Sequence, residues 1–227
     1  MIVYTWKTPI KLKMSSKKSP ELYDPTEEKL NILTHGFGWL LSVIAFPFLI
    51  IKSFCYTLLK EQASFIIFGV SMIVLYAAST LYHRATNIEK RAKLKVFDHS
   101  AIYVLIAGTY TPFCLVSLPT KLGWYIFGTV WAFAFVGIIF KLFFTGKLKH
   151  VSTAMYVFMG WLVMFFINTL LESLPETSSF YLIAGGVFYT VGAIFYSIKK
   201  IKYNHAIFHV FVLLGSACHF YAIYNLA

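Results

Sequence analysis

Charge is scarce in this chain. Only 13% of its 227 residues are Asp, Glu, Lys or Arg, where an average soluble domain carries about 25%. With 59% hydrophobic and 19% aromatic residues and a mean hydropathy of +0.71, that shortage excludes an ordinary water-soluble globule, a disordered segment and a nucleic-acid reader. Cysteine is nearly missing. Cys55, Cys114 and Cys218 stand singly in apolar sequence, so there is no CxxC pair and no disulfide framework, and all three are expected as packing residues. Acidic residues number nine against twenty basic ones, a net charge of +11. No lysine occurs in 206–226, which excludes a retinal Schiff base in the last hydrophobic run. No internal repeat of solenoid period is present.

Long apolar runs fill the space that charge leaves. Seven of them reach the roughly 20 residues that a membrane-spanning helix needs: 32–51, 65–82, 100–118, 122–140, 151–171, 180–198 and 206–226. They are continuous rather than alternating, so they predict helices and not the strands of an outer-membrane barrel. The first run begins some thirty residues in and no small-residue cleavage site follows it, unlike a signal peptide. The expected fold is therefore all-α: a multi-pass cell-membrane protein with a seven-helix domain over 30–227 and a basic tail over 1–29.

Loop charge predicts the orientation. Seventeen of the twenty Lys and Arg fall in the tail and the even-numbered connections, and only Lys52, Lys60 and Lys121 fall on the other face. The N-terminus is thus expected in the cytoplasm and the C-terminus outside, opposite to a G-protein-coupled receptor. The basic loops serve mainly as topological determinants. Residues 1–18 are basic without a helical period; they suit a surface-binding arm, or a start assigned too early, since Met14 would serve equally well. Asp24, Pro25, Glu27 and Glu28 read as a helix start: a cap, a first-turn proline, and acids facing the positive end of the dipole. Gly185, Gly186 and Gly192 are expected to allow close helix approach.

Ionisable residues inside or at the edge of spans are functional candidates by default. His83 ends the second run, Asp98 and His99 open the third, His205 and His209 open the seventh, and Asn31 and His35 open the first. Under the expected topology, four spans bring these groups to one depth near the inner leaflet. His205 and His209 are at i and i+4, on one helix face; Ser79 and His83 repeat the spacing. HxxxH recurs in ordinary helices, so the weight lies on the shared depth. If the second and seventh spans are neighbours, His83, His205 and His209 supply three nitrogens, the ligand number of a catalytic zinc site with one open position. His35, His99 and His150 are expected at the interface or behind the ligands. His219 lies about 21 Å along the helix from His205, too far to share a metal.

These motifs together resemble the haemolysin III family, of the progestin and adipoQ receptor group that includes the adiponectin receptors. The resemblance rests on Glu27-Glu28 with Asn31 and His35-Gly36, on Ser79–His83, on Asp98-His99-Ser100, and on His205–His209 followed by His219-Phe220-Tyr221. It runs from about Tyr23 to the C-terminus. It implies seven helices with the N-terminus inside, Zn2+ held by His83, His205 and His209, Asp98 close to the zinc-bound water, and Ser79 in the same polar cluster. Alkaline ceramidases share this constellation. The function it implies is a zinc-dependent intramembrane hydrolase of a lipid amide or ester, acting in membrane lipid homeostasis, with Asp98 and Ser79 as catalytic candidates and membrane lipids as partners. Two alternatives stand beside it: a receptor or sensor with structural zinc, and a cytolysin, as the family's name asserts.

Overall fold

A computed structural model of the chain describes residues 23–144 and 149–226. The basic arm at 1–18, Lys147 and the His150 side chain lie outside the described residues. All regular structure among the described residues is helical. Among the described residues, six helices are long and apolar enough to cross a membrane: α1 (Pro25–Ser53), α2 (Leu59–Arg84), α3 (Ile88–Pro112, prolonged by a π-helical turn over Phe113–Ser117), α4 (Thr120–Phe144), α7 (Glu176–Ser197) and α8 (Asn204–Tyr224). Between α4 and α7 lie α5 (Lys149–Trp161), a 3-10 turn (Leu162–Phe165) and α6 (Ile167–Glu172).

The packing is inverted relative to a soluble protein. Phe165 is 83% exposed, Tyr125 75% and Phe143 71%, whereas Asn31 is 0% exposed, Ser79 1% and Arg91 2%. Such an exterior is stable only against acyl chains, where every backbone polar group must be satisfied inside the helices themselves. α1 packs on α2, α2 on α3, and α7 on α8, with α8 closing back against α1. At Gly108 the α2–α3 contact is tight enough that a Cβ would fall 2.3 Å from Ser71 Oγ. Of the glycines marked in the sequence, Gly185 and Gly192 do sit against α8, but Gly186 has open space where a Cβ would be. It is not a contact residue. Cys114 is buried, whereas Cys55 is exposed rather than packed.

The run at 151–171 departs from expectation. It contains no proline, yet it is not one helix. The cause comes from α3: the Tyr110 hydroxyl donates to Met159 O at 3.1 Å and Gly160 O at 2.9 Å, and accepts from Val163 N–H at 2.9 Å. A side chain inserted into the i→i−4 ladder breaks a helix at that point. The next residues tighten into the 3-10 turn, and Phe166 leaves helical geometry at φ −138°, ψ 21°.

The helix start at Asp24 is as read. Its Oδ1 accepts from Thr26 N–H at 2.9 Å, and that backbone hydrogen bond holds the exposed carboxyl below its ordinary pKa. The chain enters α8 through Tyr203 in the left-handed region (φ 59°), with the Asn204 side chain donating to Tyr196 O at 2.8 Å. This turn sets His205 in the first turn of α8. The N-terminal ends of α1 and α8 and the C-terminal end of α2 thereby meet at one end of the bundle.

Candidate metal centre

His83 comes from the last turn of α2, and His205 and His209 from successive turns of α8. All three are buried, and one ring nitrogen or the other from each lies within 4.8 Å of the others. Nε2 of His83 is 3.2 Å from Nε2 of His205. Two zinc–nitrogen bonds of about 2.0–2.1 Å at a tetrahedral angle put their nitrogens roughly 3.3 Å apart. The spacing therefore suits one shared ion.

The outer nitrogens decide the tautomers. Nδ1 of His83 lies 2.7 Å from Glu28 Oε2; a carboxylate accepts, so Nδ1 carries the proton and Nε2 offers its lone pair. Nδ1 of His209 lies 3.3 Å from Thr34 Oγ1. That hydroxyl spends its hydrogen on Leu30 O at 2.8 Å, so it accepts from the imidazole Nδ1–H, and Nε2 of His209 again offers its lone pair. Nδ1 of His205 meets the Tyr23 hydroxyl at 3.3 Å. An imidazole held from behind by an oxygen, with Nε2 turned inward, is the usual arrangement of metal-ligating histidine.

Much of this bracing comes from α1, and the sequence reading missed its purpose. Glu27 and Glu28 stand in the first turn of α1, at the positive end of its dipole, as expected. They also reach outward: Glu28 joins His83 to Arg91, and Glu27 Oε1 accepts the His205 backbone N–H at 3.1 Å, capping α8 from another helix. Arg91, counted as a loop charge, is buried; its Nη1 donates to the terminal carbonyls of α2 at Tyr82, His83 and Ala85 (3.2–3.4 Å). Tyr23 and Thr34 carried no sequence signal. The two glutamates did: they are two of only nine acids, one helical turn from Asn31 and two from His35.

The other candidates fall around this core. Asp98 is buried on α3, with His83, Ser79, Lys95 and Lys141 as the groups acting on its charge. Ser79 Oγ is buried beside it but completes no hydrogen bond. Asn31 Nδ2 lies 3.4 Å from His83 Nδ1. His35 stacks on His209 with ring centroids 3.4 Å apart, and its two nitrogens have no hydrogen-bond partner. His99 takes the Tyr156 hydroxyl on its carbonyl at 2.8 Å. His219 stands apart from the three.

A cavity of about 670 Å³ opens on the cluster, with Asp98, His205 and His209 at one end and His219 at the other. Its wall includes Trp161, Met164, Ile183 and Val187, which are exposed on the apolar exterior. The cavity thus reaches the bundle surface between α7 and the broken segment after α5. This is the size of a small-molecule pocket.

Residues 23–220 match the family model described as Haemolysin-III related. The chain is 48% identical to the Hemolysin-3 homolog of Bacillus subtilis (strain 168) over 197 residues, covering 87% of this chain and 92% of that protein. It is 44% identical to Hemolysin-3 of Bacillus cereus over 197 residues, covering 87% and 90%. The monocyte to macrophage differentiation factor of Homo sapiens is a more distant relative, 28% identical over 219 residues that cover 89% of this chain and 86% of that one. With six apolar helices of membrane-crossing length around a buried three-histidine cluster, the chain belongs to the haemolysin III-related family of multi-pass membrane proteins.

Proposed function

We propose that this protein is a zinc-dependent intramembrane hydrolase of a lipid amide or ester. The observation that carries the reading is the cavity, which leads from the apolar exterior to His205, His209 and Asp98. His83, His205 and His209 would hold the ion; neutral imidazoles suit zinc better than magnesium or calcium, which prefer oxygen. Zinc bound there would supply Lewis acidity, for acidifying water and polarising a carbonyl. Asp98, at the same end of the cavity, takes a proton and returns it to the leaving group. Ser79, in the same polar cluster, orients a ligand or the water. The apolar wall takes the acyl chain and excludes water from the reacting end. The name Hemolysin-3 refers to red-cell lysis, but an exterior as apolar as this one does not suit a secreted, soluble pore-former. Comparing the lipids of a deletion strain that carries the wild-type chain with those of one that carries Asp98→Asn tests the hydrolase reading directly.

In this reading the chain spans the membrane seven times, with residues 149–172 making the fifth passage as two short helices joined by the 3-10 turn. The cluster then lies at the cytoplasmic side. Reporter fusions after Lys18, within 84–95 and at Lys200 are expected to report cytoplasm, and one at Ala227 the outside. A cytoplasmic C-terminus would remove a span and with it the inner-leaflet placement.

Glu28→Gln tests the bracing. The amide keeps the size of the carboxylate but loses the charge that holds the His83 Nδ1 proton and Arg91. Zinc affinity, titrated against a competing chelator, is expected to fall about 10–100-fold. Unchanged affinity would leave Glu28 with only a structural role at Arg91.

A further inference from the structure

Charge along the cavity is gathered around Asp98. Among the described residues that line it, the acidic and basic side chains are Lys95, Asp98 and Lys141, two cations against one anion. Lys95 stands one helical turn before Asp98 on α3, and Lys141 lies in the last turn of α4. Both ammonium groups act on the Asp98 charge. Tyr156 of α5 joins the two helices: its hydroxyl donates to His99 O, next to Asp98, at 2.8 Å, and Lys141 Nζ lies 5.4 Å from the centre of its ring. The two lysines thus belong to the end of the cavity that Asp98 shares with His205 and His209.

Lys141 is out of place for a mere topological determinant. A lysine at the end of a span ordinarily extends to the membrane surface, yet Lys141 is only 5% exposed. Among the described residues it is the one buried lysine, and the other buried cation, Arg91, is occupied by Glu28 and the last carbonyls of α2. Burying an ammonium is costly unless an opposite charge compensates it. One lysine would serve Asp98 as a counter-ion; two leave this end of an otherwise uncharged cavity with a positive excess. In surroundings so apolar, that excess attracts an anion more strongly than it would in water.

We propose that Lys141 and Lys95 bind an oxyanion on the head of the lipid, so that the substrate class is an anionic amide or ester with a carboxylate or phosphate on its leaving group. The carbonyl then sits at the three histidines and the acyl chain lies along the apolar wall. Hydrolysis adds the hydroxyl of water to the acyl carbon and its hydrogen to the departing nitrogen or oxygen, releasing a fatty acid and an anionic amine or alcohol. The lysines hold the head and set specificity; they do not touch the bond that breaks. This inference rests on the lipid-hydrolase reading, because it presumes an acyl chain in the cavity.

The test uses the purified full chain, on ice and near neutral pH, loaded with the neutral probe tritiated N-palmitoylglycinamide. Unlabelled amide and its carboxylate counterpart, N-palmitoylglycine, compete for the site; monopalmitoylglycerol and its 3-phosphate form a second pair that separates phosphate from carboxylate. In at least one pair the anion is expected to displace the label about 10–100-fold better than its neutral partner, the worth of a hydrogen bond to a charged group. In Lys141→Met, which keeps the stem and loses the charge, displacement by the neutral amide should be unchanged and the anion's advantage should vanish. Zinc content is measured in parallel, since an anion held by the metal instead would keep its advantage in zinc-loaded Lys141→Met. Lys95→Met, at a half-buried position, should reduce the advantage and decides the matter if Lys141→Met no longer holds the neutral amide. The proposal is overturned if neither anion has an advantage in the wild type, or if the advantage survives the loss of these lysines. A wild-type chain that holds no neutral amide at all would bring down the lipid-cavity reading, and this inference with it.

Discussion

Asp98→Asn is expected to keep metal and fold while turnover of a lipid amide or ester falls by 10²–10⁴-fold, the usual loss when an acid–base group is removed. Asparagine preserves the shape of the side chain but cannot accept a proton. The hydrogen bonds that orient His83, His205 and His209 come from Glu28, Tyr23 and Thr34, not from Asp98, so the metal has no reason to leave. Had Asp98 acted by holding a ligand, the same substitution would instead weaken zinc by about 10–100-fold. Metal content and turnover measured on one purified variant separate the two roles, because each role moves a different quantity. A variant normal in both, with normal membrane lipids in the cell, would refute both roles and return the protein to a sensor braced by structural zinc.

Replacing His205 and His209 together by alanine is expected to strip the metal. One nitrogen then remains of three, and losing a direct donor exceeds the 10–100-fold cost of losing an outer partner. His219→Ala, on the same helix, should retain full metal and serves as the control. Both ligand rings also pack: His209 is 2% exposed and stacks on His35, so the double variant is destabilised as well as emptied. Elution as a monodisperse species in detergent distinguishes loss of metal from loss of fold. Full zinc occupancy in the folded double variant would falsify the three-histidine assignment.

The three-histidine cluster was legible because each of its motifs is local. An HxxxH pair and an SxxxH pair each place their polar groups one helical turn apart, and the alternation of spans carries distant motifs to one depth. The helix start at Asp24 was legible for the same reason: a cap bonds a backbone group two residues away. The bracing was not local. Glu28 meets His83 across 55 residues, Thr34 meets His209 across 175, and Tyr23 meets His205 across 182. Nothing in the spacing of those residues announces their partners.

Composition and hydropathy alone required helices in lipid, because a chain with so little charge and such long apolar runs has no other way to satisfy its backbone. They also marked which few polar residues would be too costly to leave in acyl chains. Only the packed structure decided what those residues hold. It gave two first-turn glutamates of α1 a second task, as a cap for α8 and a brace for His83. It divided an unbroken apolar run at Tyr110, and it left a cavity with His219 at its far end. These outcomes depend on which helix faces meet, and that follows from contacts between residues far apart in the chain rather than from the period of any one segment.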